Sequence, residues 1–287
     1  MTFKNAIGNI GVFTHELRAE NPALLPALQQ AARELEELGF GAVWLGGNSD
    51  VAHAAPLVEA TSRIVVATGI TNIWHRPPAA VAADRGRLEA RHPGRFLIGL
   101  GVSHAELAPA YHRPYSAMRD YLDGLDAAAR PLPAGGRVLA ALGPRMLGLA
   151  RDRAAGAHPY LVTAEHTARA REILGKGPLL APEVGVVLDD RPGPARAVAR
   201  DHLRYYFQLP NYIASWKRLG FDDADFVGSG SDRLVEALVV WGTEDRIRSR
   251  VRDVLAAGAD HVALQVLSAD HDSVPVEQWR RLAGIVL

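Results

Sequence analysis

Residues Ile64–His104 read IVVATGITNIWHRPPAAVAADRGRLEARHPGRFLIGLGVSH, and this stretch decides the fold. Ile64–Thr68 is an apolar run rich in β-branched residues, as a strand requires. Pro77–Arg91 carries apolar residues at helical spacing with proline at its start. Phe96–Leu100 is a second apolar run. Both runs are continuously apolar, the pattern of parallel strands buried on both faces. Each ends in small or polar residues: Gly69-Ile70-Thr71-Asn72 and Gly101-Val102-Ser103-His104. In parallel α/β folds, ligands bind beyond the carboxyl ends of the strands. The stretch therefore gives an architecture and a candidate site together.

Working outward, strand-like runs recur at Ile7–Phe13, Ala42–Leu45, Ile64–Gly69, Phe96–Leu100, Val138–Leu142, Ala157–Val162, Val184–Leu188 and His261–Leu267. Amphipathic helical patterns lie between them, and Gly39, Gly175 and Gly258 suit helix ends. Val276–Leu287 reads as a closing helix. Eight alternations in 287 residues predict a single (β/α)₈ TIM barrel over residues 1–287 rather than an open doubly wound sheet. About seventy residues separate Leu188 from His261, more than one helix needs. Residues 205–243 are therefore read as an insertion between strands seven and eight, either over the barrel mouth or packed at its side. Within it, Gly228-Ser229-Gly230-Ser231 reads as a mobile loop.

Composition narrows the chemistry. The chain is 48% hydrophobic and 22% charged with zero formal net charge, as expected of a soluble globular protein. No basic cluster suggests a nucleic-acid surface, and no apolar run approaches the ~20 residues that span a bilayer. The start, MTFKNAIGNIGVF, lacks a signal-peptide core, so a cytoplasmic enzyme acting on a small molecule is the expectation. Cysteine is absent, which removes disulfides and a thiol nucleophile. Lysine occurs only as Lys4, Lys176 and Lys217, none just after a strand, so a Schiff-base chemistry has no candidate.

The eleven histidines are scattered without a metal-binding spacing. Asp270-His271-Asp272 could ligate a metal but reads better as a solvated loop, and no metal site is expected. Leu142-Gly143-Pro144-Arg145-Met146 follows strand five and opens a helix. Its free amides and the charge of Arg145 would favour an anion; the alternative is an ordinary turn with a surface arginine. Gly99-x-Gly101 lacks the third glycine of a dinucleotide fingerprint. His104 sits at the mouth end of strand four, where an imidazole can exchange protons near neutral pH or merely line a pocket. Trp44 reads as barrel core rather than as a ligand platform.

Three segments resemble the bacterial luciferase-like superfamily and specifically its F420-dependent oxidoreductases: VATGITN at Val66–Asn72, RFLIGLGVSH at Arg95–His104, and LAALGPRMLGLARDRAAGAH at Leu139–His158. AGADHVALQVL, Ala257–Leu267, resembles the family's final strand. The resemblance implies a (β/α)₈ barrel with an insertion near strand seven, holding FMN or a deazaflavin at its C-terminal mouth. It implies a non-proline cis peptide at Gly69–Ile70 supporting the ring, with Asn72 beside it. Val102 and Ser103 would meet the phosphate or ring, and Gly143, Pro144, Arg145 and Met146 would hold the cofactor tail. His158 and Pro159 would line the same channel.

Two departures stand out. Several deazaflavin-dependent alcohol oxidoreductases carry a histidine after strand two, where this chain has Gly46-Gly47-Asn48-Ser49, and His104 replaces a common glutamate. The family's acid–base pair therefore does not carry over intact. The resemblance implies an oxidoreductase moving a hydride between coenzyme F420 and a small organic substrate, with His104 exchanging the balancing proton. The alternatives are an FMN-dependent monooxygenase and a non-catalytic flavin-binding barrel. Relatives are often dimers packed through barrel helices, which leaves a homodimer open.

Overall fold

Every registered strand pair in the computed structural model is parallel. The structure describes residues 2–18, 20–106, 108–270 and 273–287. Its strands are β1 (Ile10–Thr14), β2 (Ala42–Gly46), β3 (Val65–Gly69), β4 (Thr71–Asn72), β5 (Phe96–Gly101) and β6 (Arg137–Leu139). β7 (Gly156–Ala157), β8 (Leu179–Leu180), β9 (Glu183–Val187), β10 (Val239–Trp241) and β11 (Val262–Val266) follow. The order β9-β11-β1-β2-β3-β5-β6-β7-β8 runs around the sheet, with β10 beside β9 and β4 beside β5.

The sheet closes through one stretch of chain. β8 and β9 form a single extended passage interrupted at Ala181-Pro182. On one side, Ala181 N donates to Ala157 O at 3.0 Å and Glu183 N to Pro159 O at 2.9 Å. On the other, Ala263 N donates to Pro182 O at 3.0 Å. The result is the TIM-barrel-like α/β fold that the strand count predicts.

Strand alternation divides the core. In β2, Ala42 and Trp44 join a cluster with Phe13, Ala67, Leu97 and Ala263, while Val43 and Leu45 join the larger cluster packed by the helices. Alanines at 42, 67 and 263 leave room inside for Trp44, which is fully buried. Trp44 Nε1 donates to His261 Nε2 at 3.0 Å, so it serves the core as expected. Ile7, Val66, Ile98, Leu139, Val186 and Leu264 are all fully buried.

Helices cover the outside, among them Leu25–Leu38, Pro78–Arg91, Pro114–Asp126, Pro144–Arg153, Ala164–Leu174, Glu244–Ala256 and Val276–Val286. Leu25–Leu38 stops at Gly39, whose φ of 100° supplies the left-handed turn. Between β9 and β11 lie the helices Pro192–Leu203, Pro210–Lys217 and Asp232–Leu238, which precede β10. Their core gathers Leu203, Phe207, Trp216 and Leu234, and Trp216 Nε1 donates to Leu161 O at 3.1 Å. The glycine–serine stretch is a capped turn: Ser231 Oγ donates to Asp225 Oδ1 at 2.6 Å and accepts from Leu234 N.

Several boundaries differ from the sequence expectation. Ile7 belongs to the turn after a short helix, Phe3–Ala6, and β1 begins at Ile10. β6 ends at Leu139 and β7 at Ala157, because the residues after them leave the ladder. Leu161 adopts φ 53°, which no strand residue can hold. β8 and β10 add two short strands, and Val51–Ala60 adds a helix that contains Pro56.

Candidate functional site

The carboxyl ends of β1, β3, β5, β6 and β7 surround a cavity of about 410 Å³. Its base is built around β3 and β4. The Gly69–Ile70 peptide is cis, as the VATGITN segment implies. The turn after β2 holds it from both sides: Ile70 N donates to Gly47 O at 3.2 Å, and Ser49 N donates to Ile70 O at 3.1 Å. Thr71 Oγ1 donates to Ser49 O at 2.7 Å, and Asn72 N donates to Asn48 Oδ1 at 3.0 Å. Gly46-Gly47-Asn48-Ser49 is thus the clasp of the β3 turn.

Two glycines of the Gly99-Leu100-Gly101 run have packing reasons rather than a phosphate role. A Cβ on Gly99 would lie 2.1 Å from Thr68 O, and one on Gly101 2.7 Å from Ile70 Cδ1. β5 therefore passes close against the β3 turn. Trp74 Nε1 donates to Val102 O at 2.6 Å and ties the two mouth loops together. Ser103 takes φ 56° as the chain turns out of β5.

His104 follows that turn and lines the cavity. Its Nδ1 lies 3.1 Å from Asn211 Oδ1 on the helix Pro210–Lys217. Burial holds its pKa below the usual histidine value, against the Asn211 hydrogen bond and Glu106, which push upward. The imidazole is therefore neutral at pH 7, the state a proton acceptor needs.

His158 is buried at the other side of the cavity, stacked on Trp44 with ring centroids 4.1 Å apart. Its Nδ1 donates to Ala181 O at 2.6 Å, which leaves Nε2 as the lone-pair nitrogen, without a hydrogen-bond partner. Burial lowers its pKa to about 4. Behind the wall, burial pushes the Glu183 carboxyl up to about 8. Glu183 Oε2 accepts from Leu161 N at 3.1 Å.

Of the residues the sequence singled out, the cavity brings together Gly69, Ile70, Asn72, Val102, Ser103, His104, Gly143, Met146 and His158. Pro144, Arg145 and Pro159 do not line it. The Arg145 guanidinium lies over the Tyr115 ring, 4.3 Å from its centroid. The helix Pro144–Arg153 starts without a side-chain cap, so its first amides are open. Pro144 has no N–H, which leaves Gly143, Arg145 and Met146 as donors. Arg218, unremarked in the sequence, donates to Leu142 O at 3.3 Å beside that helix start.

The sequence reading also missed Phe13, His15, Tyr160, Tyr206, Asn211 and Tyr212, all cavity-lining. PNYIASW in the helix Pro210–Lys217 was a signal for aromatics, but their destination is set by tertiary packing alone. Among the described residues, no group of three or more His, Asp or Glu could hold a metal. His271 and Asp272 of the Asp270-His271-Asp272 candidate lie outside the described residues. No helix among the described residues is long and apolar enough to cross a membrane.

Residues 12–261 match the luciferase-like monooxygenase family, and the chain belongs to it. It is an enzyme of the luciferase-like oxidoreductase class. Among solved structures, it is similar to an F420-dependent secondary alcohol dehydrogenase bound to an F420-acetone adduct, with a TM-score of 0.71 and 15% identity. That similarity covers 98% of this chain and 99% of the other. A coenzyme F420-dependent tetrahydromethanopterin reductase from Methanopyrus kandleri gives 0.69 and 17% over 98% and 99%. The oxygenating constituent of 3,6-diketocamphane monooxygenase from Pseudomonas putida, a type II Baeyer-Villiger monooxygenase in complex with FMN, gives 0.68 and 13% over 97% and 96%. At these identities the likeness speaks for the fold.

Proposed function

We propose that this chain is an F420-dependent oxidoreductase that moves a hydride between the deazaflavin and a small organic substrate. The observation that carries the reading is one cavity gathering the cis Gly69–Ile70 turn, the Ser103–His104 loop, the Gly143–Met146 helix start and His158. The space fits a planar ring system. A Cβ on Gly69 would come within 2.7 Å of Phe13 and 3.1 Å of His158, so only glycine keeps that floor open. The deazaflavin, when bound, supplies the hydride chemistry.

The chain's own residues do the rest. Gly69, Ile70, Asn72, Val102 and Ser103 line the cavity and would wall the ring. The amides of Gly143, Arg145 and Met146 would hold the phosphate at an uncapped helix start, where the dipole favours an anion. Arg145, which rests on Tyr115, would add its guanidinium to that site only by leaving the ring, with Pro144 shaping the turn and Arg218 close by. His158 and Pro159 back the channel. His104, neutral at pH 7, takes the proton of a substrate hydroxyl as the carbon-bound hydride leaves, and returns it in the reverse direction. The resemblance of Val66–Asn72, Arg95–His104 and Leu139–His158 to the F420-dependent branch is what favours this cofactor over FMN.

Titration of the purified protein with F420 and with FMN, followed by stopped-flow oxidation, tests the proposal. Tight F420 binding, with reduced cofactor consumed by a ketone but not by dioxygen, is the expected result. Preferential FMN binding with oxygen-dependent turnover would assign a flavin monooxygenase instead, the reading the FMN-bound relative favours.

A further inference from the structure

Among the described residues, no Asp, Glu, Lys or Arg lines the 410 Å³ cavity. Its polar tips are hydroxyls, amides and imidazoles. Desolvation lowers the pKa of each lining histidine, His15, His104 and His158, from the ordinary value, which favours the neutral imidazole at pH 7.

The nearest ionic groups are turned to other tasks. Arg18 packs beside Gly47 and is ion-paired to Glu20. Glu106 is exposed on the mouth loop. Glu183 is buried behind the wall and bonded to Leu161 N. Arg145 and Arg218 stand at the Gly143 end, outside the lining.

Another part of the lining is aromatic. Phe13 meets Tyr160 at 5.2 Å between centroids, and Tyr160 meets Tyr206 at 5.6 Å. Tyr206 meets Tyr212 edge-on at 5.1 Å, and Tyr212 meets His104 at 5.5 Å. This belt runs from β1 to the loop after β5 and presents ring faces and edges to a planar guest. Asn211 and His104 stand at its end with neutral hydrogen-bonding groups.

We propose that the chamber beneath the insertion takes a neutral aromatic alcohol or ketone and excludes anionic substrates of the same shape. This deepens the reading of the cavity as a joint cofactor and substrate site, and rests on it. A carboxylate placed there would surrender its hydration with no cation to meet it, whereas a hydroxyl or carbonyl finds Asn211 and His104. An apolar ring gains by leaving water against the tyrosine belt.

Calorimetric titration of the full chain tests this, with 1-(2-naphthyl)ethanol, 2-acetonaphthone, 2-naphthoate and 1-cyclohexylethanol as probes, each with and without saturating F420 or FMN. The alcohol and ketone should bind the cofactor-loaded protein, and naphthoate should bind weaker by roughly a hundred-fold or more, the scale of an unpaired buried charge. Asn211→Arg should bring naphthoate in by supplying the missing cation. Equal binding of naphthoate, or cyclohexylethanol binding as tightly as its aromatic counterpart, would overturn the proposal. So would neutral probes that bind only the unloaded protein and compete with the cofactor. If neither cofactor binds but the preference among probes persists, the cofactor assignment fails and the substrate preference stands.

Discussion

His104 Nδ1 faces Asn211 Oδ1 at 3.1 Å, a contact that joins the mouth loop of β5 to the helix Pro210–Lys217. An amide oxygen only accepts, so Nδ1 carries the proton and Nε2 is the basic nitrogen. Removing the imidazole should cost turnover by ~10²–10⁴-fold, the usual worth of positioned acid–base assistance. We expect His104→Ala to show that loss with cofactor affinity intact, and His104→Gln not to restore it. The acid limb of the rate profile should lie below pH 6.5, because burial lowers the His104 pKa from that value. The Asn211 bond raises it, so Asn211→Leu should move the limb to still lower pH. An unchanged profile in both variants would make the imidazole a wall.

Arg145 now rests on Tyr115, and its worth to an anion is measurable. If the guanidinium makes a charge-assisted bond to the cofactor phosphate, Arg145→Ala weakens binding by ~1.5–3 kcal/mol. Fluorescence titration reads the change directly. Full affinity in the variant would leave the helix amides as the whole of the phosphate site.

Glu183 should make stability fall with rising pH. Its carboxyl titrates at about 8 when folded against an ordinary 4.5, so between these values the folded chain holds a proton that the unfolded chain has lost. Glu183→Gln keeps an acceptor for Leu161 N and removes the titration. The variant should gain on the wild type across pH 4.5–8, by up to ~1.4 kcal/mol per pH unit crossed. Urea midpoints at pH 5 and pH 8 measure it, and a constant difference between the two proteins would refute it.

Gly99→Ala and Gly101→Ala should separate stability from binding. At Gly99 the added methyl meets the Thr68 carbonyl, and backbone cannot step aside. At Gly101 it meets the end of the Ile70 side chain, which can. Thermal melting should show the larger loss for Gly99→Ala, beyond the ~1–3 kcal/mol of ordinary overpacking. Gly101→Ala should retain the fold but weaken cofactor binding, because Ile70 shifts at the cavity wall. Equal stability losses would contradict this.

The barrel was legible because long buried strands such as β3 and β5 are written as continuous apolar runs. Short strands were not. Leu179–Leu180 sits between Pro178 and Pro182, residues that argue against a strand. β6 and β7 were read too long, because the apolar residues that follow them turn to line the cavity instead of pairing. Chain order exposed Gly69–Asn72, Ser103–His104 and Gly143–Met146, since each follows a strand. The tyrosine belt was not legible, because Tyr160 and Tyr212 are far apart in sequence and only tertiary packing brings both against Tyr206. Arg145 shows the same limit: its position is local, but its orientation depends on Tyr115 of another helix.

The first strand pairs early with β2 but finds its second partner last. Ile10 pairs with Val262, and His261 takes the hydrogen bond of Trp44 while its Nδ1 faces Gly8 O at 2.9 Å. During synthesis the cavity walls, from Phe13 to Tyr212, all leave the ribosome before the stave that closes the cask. A nascent chain must carry the exposed edge of β1 through most of translation, a long-range pairing of the kind that slows folding and invites aggregation. Truncation before Val262 would therefore strip the protein of its closure while leaving nearly all of its binding residues in place.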